Sequence, residues 1–374
     1  MKTALQYFRN IIQEVKNHIG DTNVYLYGSS LRDIILNRTP PVFKIFIESK
    51  NIPESLSKKL NSFKGFEFNN GRRINLDDCD YTIDCLYIQL DDIIKGNDNV
   101  VYTQSSEKDL SKRVLRFSKS SKSSIEENPY LMLDIVLLVD GIGFYLDSNT
   151  INFIFNSKKY LHNIEKRKIF GFLKEAIKSK KPRKLVSNLN TLAISQELFN
   201  IKMVESSIIN HLRETDFYEF ITMIFSNIDN SELESFLIDK CGFLFRDTPP
   251  ILRLVEAIDS ITGEDEMAAR VFLGKIDKKR ITNTCRLLKA LDFKELSKNI
   301  KRQKNATVSS RSLCITEEVI MRAFGITDEN EIQSMLNKAV EKIIAEPEYN
   351  NQAKLLVYLN RERSELWQEE ENHS

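Results

Sequence analysis

Asp78, Asp80 and Asp84 are separated by even numbers of residues, so on a strand they share one face, with Glu48 on a neighbouring strand. Carboxylates that converge in this way hold divalent cations through oxygen. The same acids read equally well as a charged sheet edge, where like charges discourage strand-to-strand aggregation. Upstream, Gly28, Ser29 and Ser30 form a small-residue turn followed by Arg32. A turn of this kind lets backbone N–H groups approach phosphate oxygens, and a helix starting behind it favours anions. A third group is purely cationic. Residues 158 to 184 hold 11 bases against 2 acids and include Lys166, Arg167, Lys168, Lys180, Lys181, Arg183 and Lys184. Residues 275 to 304 hold 11 bases against 3 acids and include Lys278, Lys279 and Arg280. Two basic segments form an electrostatic footprint for a phosphate backbone, while a charge run on a helix is equally a solvated face.

These local excesses sit in a chain that is nearly neutral overall, with 54 Lys plus Arg and 53 Asp plus Glu among 374 residues. The balance reverses after Glu317, where 6 bases face 13 acids, so net charge names no partner and only its distribution does. Gly (12) and Pro (8) are scarce and 41% of residues are hydrophobic, which excludes collagenous, low-complexity and mostly disordered classes and favours a helical protein with a substantial core. The five cysteines (Cys79, Cys85, Cys241, Cys285, Cys314) contain no CxxC pair, and His18, His162, His211 and His373 lie far from them and from one another. That spacing argues against zinc and against a disulfide framework. The N-terminal 20 residues read as an amphipathic helix rather than a signal peptide, and the most apolar run, 131 to 144, is interrupted by Asp134 and Asp140. The expectation is a cytoplasmic chain with no membrane partner.

The elements that would position these residues begin as mixed α/β. A helix over residues 1 to 20 is followed by a strand over Val24 to Tyr27, the small-residue turn, and a helix opening at Leu31. Lys44 to Glu48 reads as a second strand, Ser55 to Phe63 as a helix, and Tyr81 to Leu90 as a long alternating strand. Past the polar segment 118 to 124 strand signals nearly vanish. Helical periodicity covers 130 to 142, 163 to 180, 182 to 194 and 204 to 225, then continues in a series to about 360, with a turn at Asp247 to Pro250. No fixed-period repeat is present.

The string from Tyr27 through Gly28, Arg32, Asp33 and Leu36 to Arg38 resembles the GGxVRDxLLGR signature of the class II nucleotidyltransferase head, the family of CCA-adding tRNA nucleotidyltransferases and bacterial poly(A) polymerases. Four further stretches match in order. Asp80 to Asp84 is similar to the RRDFTIN strand, and Asp109 to Phe117 to the DLxxRxxRF segment. Glu127 to Asp134 with Gly143 and Phe144 is similar to the EDPLRxLR neck helix and its closing GF. Ile315 to Ile326 with Glu346 to Asn350 resembles the tail of the tRNA-processing members. The resemblance implies an α+β protein: a small nucleotidyltransferase-like head over residues 1–120, a helical neck over 121–180, a helical body over 181–300 and a helical tail over 301–374.

It also implies a site that this sequence has lost. The family holds its metals with Asp-x-Asp on the second strand, where this chain has Lys44 and Phe46 and no Asp in either register. A phenyl ring cannot ligate magnesium, and an ammonium repels it. The neck-helix positions that contact the incoming nucleotide correspond to Asn128, Leu131, Asp134 and Leu137, and arginine-to-leucine changes remove both charge and donor fork. The paired arginines before the third motif are Asp78 and Cys79. Of the family's nucleotide contacts, Gly28 and Arg32 remain, with Ser29 in place of the second glycine, as a vestigial nucleotide site. No catalytic residue, metal ligand or cofactor is assigned.

Three readings follow. The first is a catalytically inactive relative that binds RNA, tRNA or an RNA 3′ end, through the ten basic residues named above. The second is an active tRNA nucleotidyltransferase or poly(A) polymerase with a displaced carboxylate site at Asp78, Asp80, Asp84 and Glu48. The third is a protein-interaction subunit, with Leu131 and Leu137 as contact residues. Aromatic residues Tyr160, Phe170 and Phe172 among the bases suit either stacking on RNA or the core.

Overall fold

The computed structural model describes residues 2–76, 79–305 and 313–371. Asp78 and His373 lie outside the described residues. The chain divides into two compact units, Met1–Lys168 with Ser187–Lys202, and Ile169–Val186 with Met203–Ser374.

In the first unit α1 (Lys2–Ile19) buries Phe8, Ile11, Ile12 and Val15, the spacing of one helical stripe. The elements β1 (Val24–Tyr27), α2 (Ser29–Ile35), β2 (Phe43–Ile47), α3 (Glu54–Leu60), β3 (Phe66–Asn70), β4 (Leu86–Gln89), α4 (Leu90–Lys95) and β5 (Val101–Tyr102) follow, and the strands form one sheet in the order β3-β2-β1-β4-β5. Strand β1 is antiparallel to β2 and β4, and β2 is parallel to β3. Alternation sends Val24, Leu26, Ile45, Ile47, Leu86 and Ile88 into a core shared with α1 and α3. The same period leaves Tyr25, Tyr27, Lys44, Phe46, Glu67, Asn69 and Tyr87 on the other face.

The unit continues through α5 (Gln104–Lys112), β6 (Val114–Leu115), α6 (Lys119–Ser123), α7 (Leu131–Ile142), β7 (Tyr145–Leu146) and α8 (Ser148–Ser157), with β6 and β7 paired in a small parallel sheet. Gly143 stops α7 in the left-handed conformation at φ +74°, which only glycine adopts without strain. Helices α9 (Lys166–Ala176) and α10 (Pro182–Thr191) contain the division between units, and α11 (Ile194–Phe199) belongs to the first.

The second unit is helical: α12 (Phe217–Ile224), α13 (Asn230–Asp239), α14 (Pro249–Asp259), α15 (Glu266–Lys275), α16 (Ile281–Ala290), α17 (Lys294–Arg302), α18 (Glu317–Phe324), α19 (Glu329–Ala345) and α20 (Gln352–Glu371). Its C-terminal part has a core of its own, where Ile332, Leu336, Ala339 and Ile343 of α19 meet Leu355 and Leu359 of α20. The class is α+β, as expected. No helix among the described residues is long and apolar enough to cross a membrane.

Four local expectations are corrected. Tyr81 to Leu90 is not one strand: Thr82–Asp84 is a 3-10 turn, because Thr82 Oγ1 donates to Asp109 and Asp84 accepts from Arg32, drawing neighbouring side chains to opposite partners. Residues 204 to 216 form two 3-10 turns in place of a helix, since Ser206 Oγ accepts the Ile208 N–H and Asp216 accepts the Arg213 N–H. Asp247 to Pro250 is a turn only up to Thr248; Pro249 and Pro250 occupy the first turn of α14, where a missing N–H costs nothing. Cys79 and Cys85 form a disulfide, a single bridge the spacing gave no reason to expect, while Cys241, Cys285 and Cys314 are free thiols.

Candidate functional site

The turn between β1 and α2 opens on a cavity of about 320 Å³ lined by Gly28, Ser29, Lys44, Asn69, Asp80 and Asp84, with Cys79 and Cys85 at its wall. Gly28 adopts φ +65° and ψ −143°, a conformation open only to glycine. The turn is pinned by Ser30, whose buried Oγ accepts the Lys44 N–H at 2.6 Å and donates to the Val42 carbonyl at 3.0 Å. This fixes β2 against the start of α2 and sets the face on which Lys44 and Phe46 stand.

Of those two side chains, Lys44 lines the cavity and Phe46 does not. Lys44 borders it close to Gly28, and its ammonium acts on the Asp84 carboxyl. The Phe46 ring packs edge-on against Tyr27 and lies against Gly71, so its position is filled by an aromatic contact. Arg32 does not line the cavity. It is 5% exposed, its Nε and Nη2 donate to Asp33 Oδ1 at 3.0 and 2.9 Å, and its Nη1 donates to Asp84 Oδ1 at 2.8 Å. Burial works to lower its pKa, yet Asp84 and Asp33 together hold it above the ordinary value. Burial pushes the Asp84 carboxyl up to about 6, with Arg32 and Lys44 opposing that rise.

The residues present do not fit a divalent cation. Asp84 is already engaged by a guanidinium and faced by an ammonium, and cations in those places exclude a third by repulsion. Among the described residues no group of three or more His, Cys, Asp or Glu side chains is placed to hold a metal ion. Glu48 is elsewhere: its Oε2 accepts from Asn23 at 2.7 Å and Tyr25 at 3.0 Å. Thus Asp80 and Asp84 reach the cavity, Glu48 does not, and Asp78 is outside the described residues.

Several motif residues tie elements of the first unit together. Asp109, 1% exposed, accepts from Thr82 at 2.6 Å and from Arg116, which also donates to Asp147 at 2.7 Å. Arg38 donates to the Gly141 carbonyl at 2.6 Å. On α7, Leu131 is buried and therefore fills the interior, Leu137 is half-buried, and Asp134 accepts from Tyr81 at 2.7 Å. Burial, then Asp134, raise the Tyr81 pKa well above its ordinary value and keep that phenol a donor.

The basic residues separate into two kinds. Lys166, Arg167, Lys168, Lys180, Lys181, Arg183, Lys184, Lys278 and Lys279 are exposed, and Lys180, Lys181, Lys184, Lys278 and Lys279 form no ion pair among the described residues. Arg183 Nε donates to the Glu205 carbonyl at 3.1 Å. Arg280 differs: its guanidinium pairs with the fully buried Glu219 and lies 4.4 Å from the Tyr218 ring centroid. Arg286 similarly holds buried Asp216 through two hydrogen bonds of 2.8 and 2.6 Å. Phe172 is core, and Phe170 packs with Phe217 and Phe243 under Lys174. The pairing of Glu219 and Asp216 with arginines far along the chain has no local sequence signal.

No protein-family profile and no curated protein sequence matches the chain. Solved structures do. The Bacillus stearothermophilus CCA-adding enzyme in complex with CTP superimposes with a TM-score of 0.77 at 14% identity, over 98% of this chain and 100% of that one. The Thermotoga maritima CCA-adding enzyme complexed with tRNA gives 0.63 at 16% identity, over 96% and 95%. An apo tRNA-processing enzyme gives 0.62 at 16% identity, over 92% and 98%. Head, neck-helix and tail motifs had pointed to the same group, and the chain has the fold of the CCA-adding and tRNA-processing enzymes.

Proposed function

We propose that this chain is a catalytically inactive, nucleotidyltransferase-like RNA-binding protein of the cytoplasm, acting on tRNA or on RNA 3′ ends, with residues 1–120 as head, 121–180 as neck, 181–300 as body and 301–374 as tail. The observation that carries the reading is Arg32 buried and bonded to Asp33 and Asp84, with the Lys44 ammonium also acting on Asp84. Transfer of a nucleotidyl group needs metal-held oxygens on the triphosphate and donors that strengthen as charge develops. Here the guanidinium is committed to two carboxylates of its own chain, and the metal position faces an ammonium. The RNA component is supported by the exposed lysines of the two basic segments and by a structural neighbour that is complexed with tRNA. Phosphate contacts require accessible cations and no metal.

The test is addition of AMP or CMP to tRNA lacking its 3′ end, to tRNA ending in CC and to generic RNA, with Mg²⁺ or Mn²⁺, alongside RNA binding at two salt concentrations. The expected result is no addition together with binding that weakens steeply with salt. Metal-dependent addition abolished by Asp80→Ala would establish the displaced carboxylate site. No RNA binding at low salt would transfer the assignment to a protein-interaction subunit.

A further inference from the structure

The C-terminal part of the chain is acidic, with 13 acids and 6 bases from Glu317 onward, yet three of those bases line one cavity. Lys342 at the end of α19 and Lys354 and Arg361 on α20 surround a space of about 380 Å³ together with Tyr349, Val357 and Tyr358. Positions 354, 357, 358 and 361 follow the helical repeat, so α20 presents them along one side. Tyr349 comes from the 3-10 turn Pro347–Tyr349 that joins the two helices.

Two ammonium groups converge on one ring. Lys342 Nζ is 4.2 Å from the Tyr349 centroid and 5.3 Å from that of Tyr358, and Lys354 Nζ is 5.6 Å from Tyr349. Lys342 is balanced by Glu346 at 2.8 Å. Lys354 is not: its Nζ donates to the Glu348 carbonyl at 3.3 Å and meets no carboxylate at ion-pair distance among the described residues. Arg361 Nη2 is 4.0 Å from Glu362. Val357, 72% exposed, adds an apolar surface at the rim. The site thus combines two aromatic rings, an uncompensated ammonium and a guanidinium in a space within the range of small-ligand sites. A planar ring bearing an anionic group meets all of these at once: the ring stacks on tyrosine, and phosphate oxygens accept from Lys354 and Arg361. An extended acidic peptide would leave the ring-sized volume unfilled.

We propose that this cavity binds one nucleotide unit, with the base against Tyr349 and Tyr358 and the phosphate on Lys354 and Arg361. The site shares no residue with the head cavity or with the basic segments assigned to RNA above. Free nucleotide and a nucleotide of an RNA strand share this chemistry, and the experiment distinguishes them. Full-length protein is titrated calorimetrically at low salt with AMP, adenosine, inorganic phosphate and a short single-stranded oligoadenylate. AMP is expected to bind, adenosine and phosphate to bind at least about tenfold more weakly, and Lys354→Glu, Tyr349→Leu and Val357→Glu each to weaken AMP by about tenfold. Lys278→Glu and Lys279→Glu, remote in sequence, should leave AMP affinity unchanged, which separates this site from the proposed RNA footprint. Because Lys354 and Val357 are exposed, unchanged thermal melts of those variants are expected and keep the readout on binding. Oligoadenylate binding tighter than AMP and equally weakened by the variants would assign the site to a strand, and equal affinity to free nucleotide. Absence of AMP binding, AMP binding indifferent to Lys354→Glu, or preferential capture of an acidic tyrosine-containing peptide would overturn the proposal.

Discussion

Two arginine–carboxylate networks leave the same three-residue turn of the head and do different work. From Thr82 the contacts run through Asp109 to Arg116 and Asp147, joining the turn to the small β6–β7 sheet and to the cap of α8. From Asp84, which lines the cavity, they run to Arg32 and Asp33 on α2. The first network fixes the turn against its neighbouring elements. The second contains the arginine that the resemblance gives as a nucleotide contact, and that arginine is buried against two carboxylates. An arginine within a recognisable motif can thus be bound up in contacts to its own chain, and the motif alone does not establish a ligand contact.

Arg32 is therefore expected to matter for stability more than any residue that lines the cavity. Arg32→Met should cost about 3 to 5 kcal/mol in urea unfolding, because two buried carboxylates lose their counter-ion. A loss below about 1 kcal/mol would match a solvent-facing ligand contact instead. Asp109→Asn tests the other network and should cost less, about 2 kcal/mol, since Arg116 is one-third exposed and keeps Asp147. An Asp109 effect exceeding that of Arg32 would reverse the ranking of the two networks.

Asp84 gives a pH signature. Its carboxyl is raised from 3.8 to about 6, so between those values the folded protein holds a proton that the unfolded chain has released. Stability therefore falls as pH rises through that window, and the penalty is complete above it. In a urea series from pH 4 to pH 7 the Asp84→Asn variant should lose this slope. Retention of the slope in the variant would place the titration on another group.

How far this was readable from sequence follows from which interactions are local. The stripe of α1, the strand–turn–helix around Gly28 and the absence of Asp at Lys44 and Phe46 are all decided by neighbours within a few positions. Strand β3 was missed because Phe66–Asn70 ends in two asparagines and pairs only through β2, and β5, β6 and β7 span two residues each, too short for any period. The break at Thr82 depends on Asp109 and Arg32, and the withdrawal of Arg280 from the surface depends on Glu219. Charge counting along the chain records Arg280 and Lys279 alike; only the fold distinguishes a paired cation from an exposed one.

That distinction yields the smallest predicted effect. Neutralising Lys166, Arg167 and Lys168 should flatten the dependence of log RNA affinity on log salt by roughly 0.7 to 0.9 for each phosphate that the substituted side chains no longer neutralise, with little change in stability. Lys278→Gln with Lys279→Gln should behave in the same way. Arg280→Gln should lower stability instead, because it leaves Glu219 buried and unpaired. A salt slope unchanged by both sets of lysine substitutions would show that these clusters are solvated helix faces.

Whether the head cavity holds a divalent cation is decided by titrating the full chain with Mn²⁺ and following the free-ion signal by electron paramagnetic resonance. With Lys44 and Arg32 already acting on Asp84, the free-ion signal is expected to grow in proportion to added Mn²⁺, unaffected by Asp84→Asn. A stoichiometric Mn²⁺ site on the native chain that disappears in Asp84→Asn or Asp80→Ala would contradict it.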